Sequence, residues 1–111
     1  MGCQKDFVGR WSIVEMELWD REALDLVAPA ILSIDKNRQG RLSFIAVEAD
    51  FDYRVIERDG LPGIEFSFQG NDEGDEVCGR GWAVLKGSRL QGRVFFHMGD
   101  DSSFVAERIR K

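Results

Sequence analysis

Two glutamates and two tryptophans near the start of the chain carry groups suited to ligand binding. An uninterrupted strand through this segment would place on one face Trp11, Glu15, Glu17 and Trp19. Carboxylates between indole rings are typical of a pocket for a polar or cationic ligand. The same glutamates would also suit an acid–base pair in catalysis, which is the weakest of the interpretations.

A β-bulge near Ile13 and Val14 is the alternative for this segment. It would leave both glutamates in solvent and turn inward Trp11, Ile13, Val14, Met16 and Leu18. Burying two like charges costs several kcal/mol unless they are paired, so the bulge is the favoured alternative.

His97 is the single histidine, so a conventional Ser-His-Asp or Cys-His triad would have to use it. Alternation along its strand puts His97 on the same outward face as Arg93 and Phe95. The surrounding motif offers neither a cleft nor a partner that would orient the ring. We therefore expect no catalytic residue, and the sequence favours a protein that is not an enzyme.

Metal and cofactor sites are not indicated by the sequence. Cys3 and Cys78 lack a second Cys or His at metal-ligand spacing, and a reduced pair is the expectation. The acidic residues 72–76 do not follow the spacing of a calcium loop, so a solvated charge run is expected there. Gly79 and Gly81 do not form a dinucleotide fingerprint, because no helix follows them.

Composition narrows the class of partner. The chain has 111 residues, 43% hydrophobic and 32% charged, which fits one globular domain over 1–111. The net charge is −5 and the bases are scattered among the acids, so neither nucleic acid nor an anionic membrane is an expected partner. No apolar run approaches the ~20 residues of a membrane span. No signal-peptide stretch is found either, so the cytoplasm is the expected compartment.

Alternation of apolar and polar residues, interrupted by turn formers, predicts an all-β fold. Eight strands are predicted, near residues 8–19, 29–35, 41–48, 50–57, 63–69, 77–86, 89–98 and 103–110. The longest predicted turn is the acidic stretch 70–76, and residues 20–27 predict a short helix capped by Asp20. Short connections favour an antiparallel up-and-down barrel over a sandwich, which usually needs longer crossovers.

The same alternation predicts which side chains point into the barrel. The predicted inner faces are Phe51, Tyr53 and Val55; Ile64, Phe66 and Phe68; and Leu90, Gly92, Val94, Phe96 and Met98. Burying one large apolar side chain contributes roughly 1.5–3 kcal/mol, which is why these faces should turn inward.

Gly9-Arg10-Trp11, at the start of the first strand, resembles the Gly-x-Trp signature of lipocalin-like and avidin-like small barrels, the calycins. In these families the Trp closes one end of the barrel, and the resemblance implies the same for Trp11. No biotin ligand is carried over. Segments 79–85 and 92–104, with Gly79-Arg80-Gly81-Trp82 and Gly99-Asp100-Asp101-Ser102, look like parts of small uncharacterised bacterial proteins, which implies no activity.

A small-molecule-binding barrel is the first of two functions that the sequence supports, with an apolar or cationic ligand. The predicted ligand contacts are Trp19, Glu15, Glu17, Tyr53, Phe66, Phe68 and Phe96, with Trp11 and Phe51 as further walls. If Trp11 closes one end, the cavity should open toward Trp19, with the short helix as a lid.

A homodimeric interaction module is the second function. An eight-stranded barrel can be filled by its own side chains, which leaves no room for a ligand. Exposed apolar residues on the outer face would then be covered by a second copy of the chain. The predicted face comprises Ile45, Val47, Phe95 and Phe104.

Overall fold

Eight antiparallel strands follow one another along the chain and close into a barrel, as the alternation predicts. The computed structural model describes residues 4–20, 23 and 29–109. After a 3-10 turn (Gln4–Asp6), the strands are β1 (Gly9–Met16), β2 (Ile31–Ile34), β3 (Gln39–Phe44), β4 (Val47–Arg58), β5 (Leu61–Asp72), β6 (Asp75–Lys86), β7 (Arg89–Phe96) and β8 (Asp101–Arg108). Each strand pairs with the next, and β8 pairs with β1, which closes the sheet and protects its edges.

Two-residue turns make the middle strands longer than predicted. Glu73 and Gly74 have φ values of 53° and 90°, and they connect Asp72 directly to its partner Asp75. Such a turn matches the twist of the strands it joins, so pairing continues through most of the predicted 70–76 loop. The turn between β4 and β5 is built in the same way.

The turn between β3 and β4 lies at Ile45 and Ala46, inside the predicted third strand. Val47 therefore begins β4, where it shares the inner face with Ala49 and Phe51 and is 4% exposed. The prediction that Val47 belongs to an exposed apolar face is wrong, because the earlier turn reverses the direction of its side chain.

Phe104 is also buried, at 2% exposure. It faces Gly92 across the β7–β8 pair and belongs to the hydrophobic core. Of the other two residues of the predicted dimer face, Ile45 packs against the core and Phe95 is half-buried. The four residues therefore do not form one exposed patch.

The β-bulge in β1 is confirmed. The register of β1 against β8 shifts between Ile13 and Glu15, so Ile13 and then Met16 are buried. Glu15 and Glu17 are exposed, as the favoured alternative predicts. Leu18 does not follow Met16 inward and is 48% exposed, because β1 has ended and the chain bends.

The predicted inner faces of β4, β5 and β7 are buried or packed against the core, apart from one residue. Met98 is 94% exposed. The reason is that β7 ends at Phe96 and a turn follows, in which the N–H of Gly99 donates to the Phe96 carbonyl at 3.0 Å. Met98 has a φ of 56° in this turn and leaves the strand direction.

Glycines on the inner wall make room for the aromatic rings that fill the barrel. Three glycines each face a phenylalanine on the next strand, in the pairs Gly40–Phe51, Gly79–Phe68 and Gly81–Phe66. A Cβ atom on these glycines would lie 2.2, 2.7 and 2.5 Å from the facing ring, in that order. The rings therefore lie directly against backbone, and the interior is narrow at these positions.

Trp11 is buried near the end of the barrel at which β1 begins. It is 1% exposed, and its indole N–H donates to the carbonyl of Phe7 at 2.9 Å. The guanidinium carbon of Arg108 lies 4.3 Å from the centre of the indole ring. The same guanidinium donates to the carbonyls of Asp6 and Val8, at 2.8 Å each. Stacking and hydrogen bonds therefore fix the indole ring between the start of the chain and the end of β8, while its role in closing the barrel stays a prediction.

The predicted helix over residues 20–27 lies outside the described residues, apart from Asp20 and Ala23, so its role as a lid stays a prediction. Asp20 does form the predicted capping bond, since its Oδ1 accepts from the Ala23 N–H at 2.9 Å. Cys3 also lies outside the described residues, and Cys78 is an exposed free thiol. Across the part of the chain that the structure describes, no helix has the length and apolar character of a membrane span.

Candidate ligand-binding cleft

In an up-and-down barrel, every second connection between strands lies at the same end. Parts of the chain that are distant in sequence therefore come together there. The bend after β1, the β5–β6 turn and the β7–β8 turn share the end opposite Trp11. Between them lies a cleft of about 350 Å³, here called the Trp19 cleft. It is lined by Trp19, Asp72, Glu76, Val77, Cys78, Phe96, His97, Gly99 and Asp100.

The cleft exists because the first residues of β6 pair with β5 but not with β7. β6 pairs with β5 from Asp75, whereas its pairing with β7 begins at Gly79. The N–H of His97 still donates to the Cys78 carbonyl at 2.7 Å, and the chain then turns toward β8. The gap between the projecting β5–β6 hairpin and the β7–β8 turn is the Trp19 cleft.

A chain of aromatic rings connects the cleft to the barrel interior. Trp19 packs on Phe44 with ring centres 5.5 Å apart, and Phe44 packs on Phe96 at 6.1 Å. Phe96 in turn meets Phe68 at 5.3 Å in an edge-on contact. Trp19 and Phe96 are half-buried, so each has ring surface left for a ligand. A volume of about 350 Å³ falls at the small end of the range for ligand pockets.

The residues before Trp19 determine its position. The Glu17 N–H donates to the carbonyl of Ser103 at 3.2 Å, and the Leu18 N–H donates to Ser102 Oγ at 3.3 Å. Ser102 is buried, and its hydroxyl donates to the Ser103 carbonyl at 2.9 Å. These bonds tie the bend after β1 to β8 and so direct Trp19 toward the cleft.

A charged cluster on the outer surface joins the same elements. Arg93 Nη2 lies 2.7 Å from Asp101 Oδ2 and 3.1 Å from Glu17 Oε1. The hydrogen bond with Asp101 is the largest effect on the pKa of the Arg93 guanidinium and raises it. Desolvation opposes this as the second-largest effect, and the charges of Asp101 and Glu17 add smaller contributions that raise the pKa further. All three side chains are solvent-accessible, so these ion pairs contribute little to the free energy of folding.

Acidic side chains dominate the mouth of the cleft. Three carboxylates line it, from Asp72, Glu76 and Asp100, together with the imidazole of His97. Within the described residues, no three or more His, Cys, Asp and Glu side chains are grouped so that they would hold a metal ion. A carboxylate beside an aromatic face attracts an organic cation through both its charge and the ring quadrupole.

Comparison of the chain with protein-family models, with curated proteins and with solved structures found no match. The resemblance of Gly9-Arg10-Trp11 to lipocalin-like barrels therefore stays a prediction. Any function has to follow from the geometry and charge of the molecule itself.

Two of the seven predicted ligand-binding residues, Trp19 and Phe96, lie in the cleft. Glu15 and Glu17 do not join them, because the bulge places both on the outer surface. Glu17 is engaged by Arg93 there. The arrangement of two carboxylates between two indoles is therefore absent from β1.

The other three predicted residues, Tyr53, Phe66 and Phe68, are buried inside the barrel. Phe66 meets the ring of Phe51 at a centroid distance of 5.1 Å. The Tyr53 hydroxyl donates to the carbonyl of Asp35 at 2.6 Å, at the end opposite the cleft. These rings belong to the hydrophobic core and do not line the Trp19 cleft.

Sequence reasoning assigned the remaining cleft residues to solvent. It treated residues 72–76 as a solvated charge run, Asp100 as a turn former and His97 as a surface residue. The signal that would have found them is topological. In an up-and-down barrel the connections after strands one, five and seven lie at one end, so Trp19, Glu76 and His97 must be at the same end of the molecule.

Proposed function

We propose that this protein binds a small organic cation, one with an apolar body and a positively charged head, in the Trp19 cleft. The observation that carries the proposal is the meeting of two half-buried rings, Trp19 and Phe96, with three carboxylates in one cleft. A cation on a ring face contributes about 0.5–2 kcal/mol, the larger values applying where water is excluded.

The charge of the cleft supports a cation over an anion. Its lining contains Asp72, Glu76 and Asp100 and neither lysine nor arginine. The buried phenylalanines of the interior support an end site over a central one, because the rings of Phe51 and Phe66 occupy the space that a central ligand would need. The ligand therefore enters from the open end and rests on Phe96.

Benzyltrimethylammonium is a suitable probe of this proposal, since it carries both a ring and a permanent charge. We expect it to change the emission of Trp19 in a saturable way, and benzoate to have no such effect. Trp19→Leu is expected to weaken binding by about 2- to 30-fold in calorimetry, because the cation–π contact is lost. Trp82→Leu, a change of the same kind outside the cleft, is the matched control.

Removing negative charge at the mouth should weaken binding as well. Asp72→Asn, Glu76→Gln and Asp100→Asn should each raise the Kd of benzyltrimethylammonium by about two- to fivefold at low salt, as is usual for exposed charge pairs. Glu57→Gln removes an exposed carboxylate near the C-terminal end of β4, which lies at the end of the barrel away from the cleft. It should leave the Kd unchanged. Two results would contradict the proposal. One is that benzoate binds as tightly as benzyltrimethylammonium, and the other is that the three cleft variants have the same Kd as Glu57→Gln.

A homodimeric interaction module is the second candidate, and two exposed apolar side chains favour it. Met98 and Leu18 are 94% and 48% exposed, and both lie in connections at the cleft end. If this end associates with a second copy, the chain should sediment as a dimer at about 50 μM, in the range where modest interfaces form. Met98→Ser should then give a monomer, whereas Ile109→Ser, which changes an exposed apolar side chain at the opposite end of the barrel, should not. A chain that is monomeric at every concentration would exclude this candidate.

A further inference from the structure

A groove on the outer surface of β4 to β7 has a charge opposite to that of the Trp19 cleft. Its volume is about 510 Å³. Three arginines, Arg54, Arg58 and Arg80, line it together with the aromatic side chains of Trp82 and Phe95. We call it the arginine groove. Since the whole chain has a net charge of −5, three arginines in one concave surface are a local exception.

The strand register places these arginines around a common floor on β5. Arg54 and Trp82 are the two cross-strand partners of Glu65, one on each side. Arg80 is the partner of Ser67, two residues further along the same face. From the strand spacing and the rise per residue, the Cα atoms of Arg54 and Arg80 are roughly 12 Å apart. Two extended arginine side chains can reach one small anion across that distance.

Arg58 and Trp82 form a flat, positively charged surface at one end of the groove. The guanidinium carbon of Arg58 lies 3.9 Å from the centre of the indole ring, which is a stacked geometry. Trp82 and Phe95 are both half-buried, so their rings are in part accessible. A guanidinium stacked on an indole keeps its other face open to a further planar ring.

The arginines of the groove are not engaged in salt bridges with the acids beside them. Among the described residues, no salt bridge involves Arg54, Arg58 or Arg80. Asp52 also lines the groove, but its Oδ1 accepts a hydrogen bond from the Ser67 hydroxyl at 2.7 Å. The five donors of each guanidinium are suited to bind a carboxylate or a similar planar acid group.

We infer that the arginine groove binds a small aromatic monoanion, with its ring on the Arg58–Trp82 pair and its acid group between Arg54 and Arg80. Glu65 on the floor limits the charge of the ligand. The three arginines, set against Asp52 and Glu65, leave a net charge of +1 in the groove. One negative charge matches this surplus, whereas a multiply charged phosphate would be repelled by Glu65.

Naphthalene-1-carboxylate is the probe for this site, compared with 1-naphthylmethylammonium and inorganic phosphate. Calorimetry should show saturable binding of the carboxylate, and Trp82 emission should change with the same Kd. Phosphate should bind at least about fivefold more weakly, because it lacks the ring and meets Glu65. Binding of the ammonium probe should depend on Trp19 and not on Trp82, so the two sites can succeed or fail separately.

Charge-changing variants give results of opposite sign, which a general loss of structure would not produce. Arg54→Gln and Arg80→Gln should each weaken binding of the carboxylate by about three- to tenfold. Arg10→Gln, an exposed arginine on β1, should have no effect. Glu65→Gln should tighten binding, because it removes the repulsive charge from the floor. If an arginine variant does not fold, as judged by circular dichroism, the affinity of the Glu65→Gln variant for the carboxylate is the test of the inference. No saturable binding of the carboxylate, or no tightening with Glu65→Gln, would overturn the inference.

Discussion

Replacing Phe66 by alanine is expected to lower the free energy of unfolding by about 3–5 kcal/mol, the usual cost of removing a buried aromatic ring. Phe66 is buried, contacts Phe51 at 5.1 Å and lies against Gly81. Because a glycine faces the ring, no opposing side chain can move into the space that it leaves. The cavity should therefore stay open, and the loss should fall in the upper part of that range. Urea denaturation followed by far-UV circular dichroism measures it.

Phe95→Ala is the matched control, since it removes the same ring from a half-buried position on the outer surface, and its cost should be clearly smaller. A second test uses Gly81→Ala, whose Cβ atom would lie 2.5 Å from the Phe66 ring. This substitution should destabilise the native protein more than it destabilises the Phe66→Ala variant. The variant lacks the clash with the ring and keeps only the close contact of the new Cβ with the Arg93 carbonyl, at 2.6 Å. Additive effects would show that ring and glycine do not pack as a pair.

Trp11→Ala is expected to have an effect of the same size, about 3–5 kcal/mol, because it removes a buried indole ring. The substitution removes the ring on which Arg108 stacks and the N–H that donates to the Phe7 carbonyl. Arg108 and Phe7 then lose the partner that holds them over the end. Thermal unfolding and urea denaturation should both report the loss.

Two further variants separate the causes of this effect. Trp82→Ala removes the same side chain from the outer surface and should cost less, since Trp82 is half-buried. Trp11→Phe keeps a ring at the end of the barrel but removes the hydrogen bond to Phe7, and a loss of about 1 kcal/mol is expected. If Trp11→Ala costs no more than Trp82→Ala, then Trp11 does not close the barrel.

Local patterns were sufficient to predict the fold class. Alternation with period two and short turns predicted an eight-stranded up-and-down barrel, and the structure confirms it. The bulge in β1 followed from the cost of burying Glu15 and Glu17. Two of the errors concern turns in which a residue other than glycine takes positive φ. Ile45 and Glu73 both do so, and neither residue type indicates such a backbone.

The candidate site was predicted only in part. Trp19 and Phe96 were both predicted as ligand contacts, Trp19 at the open end, and both line the cleft. Asp72, Glu76 and Asp100 were assigned to solvent, because each lies in a stretch that is typical of an exposed turn. Such assignments weigh each segment alone, whereas the cleft depends on how far the β5–β6 hairpin projects beyond β7.

The amino-acid sequence by itself determined the strand pattern, the turn-rich connections and the inner faces of β4 and β5, because these depend on neighbours along the chain. Only the tertiary structure decided whether the barrel is open or filled. That outcome depends on which residue faces which across neighbouring strands. Phe66 and Phe68 fill the interior because the register places Gly81 and Gly79 opposite them. A side chain at either position would have changed the space available, and no local pattern in the sequence records that pairing.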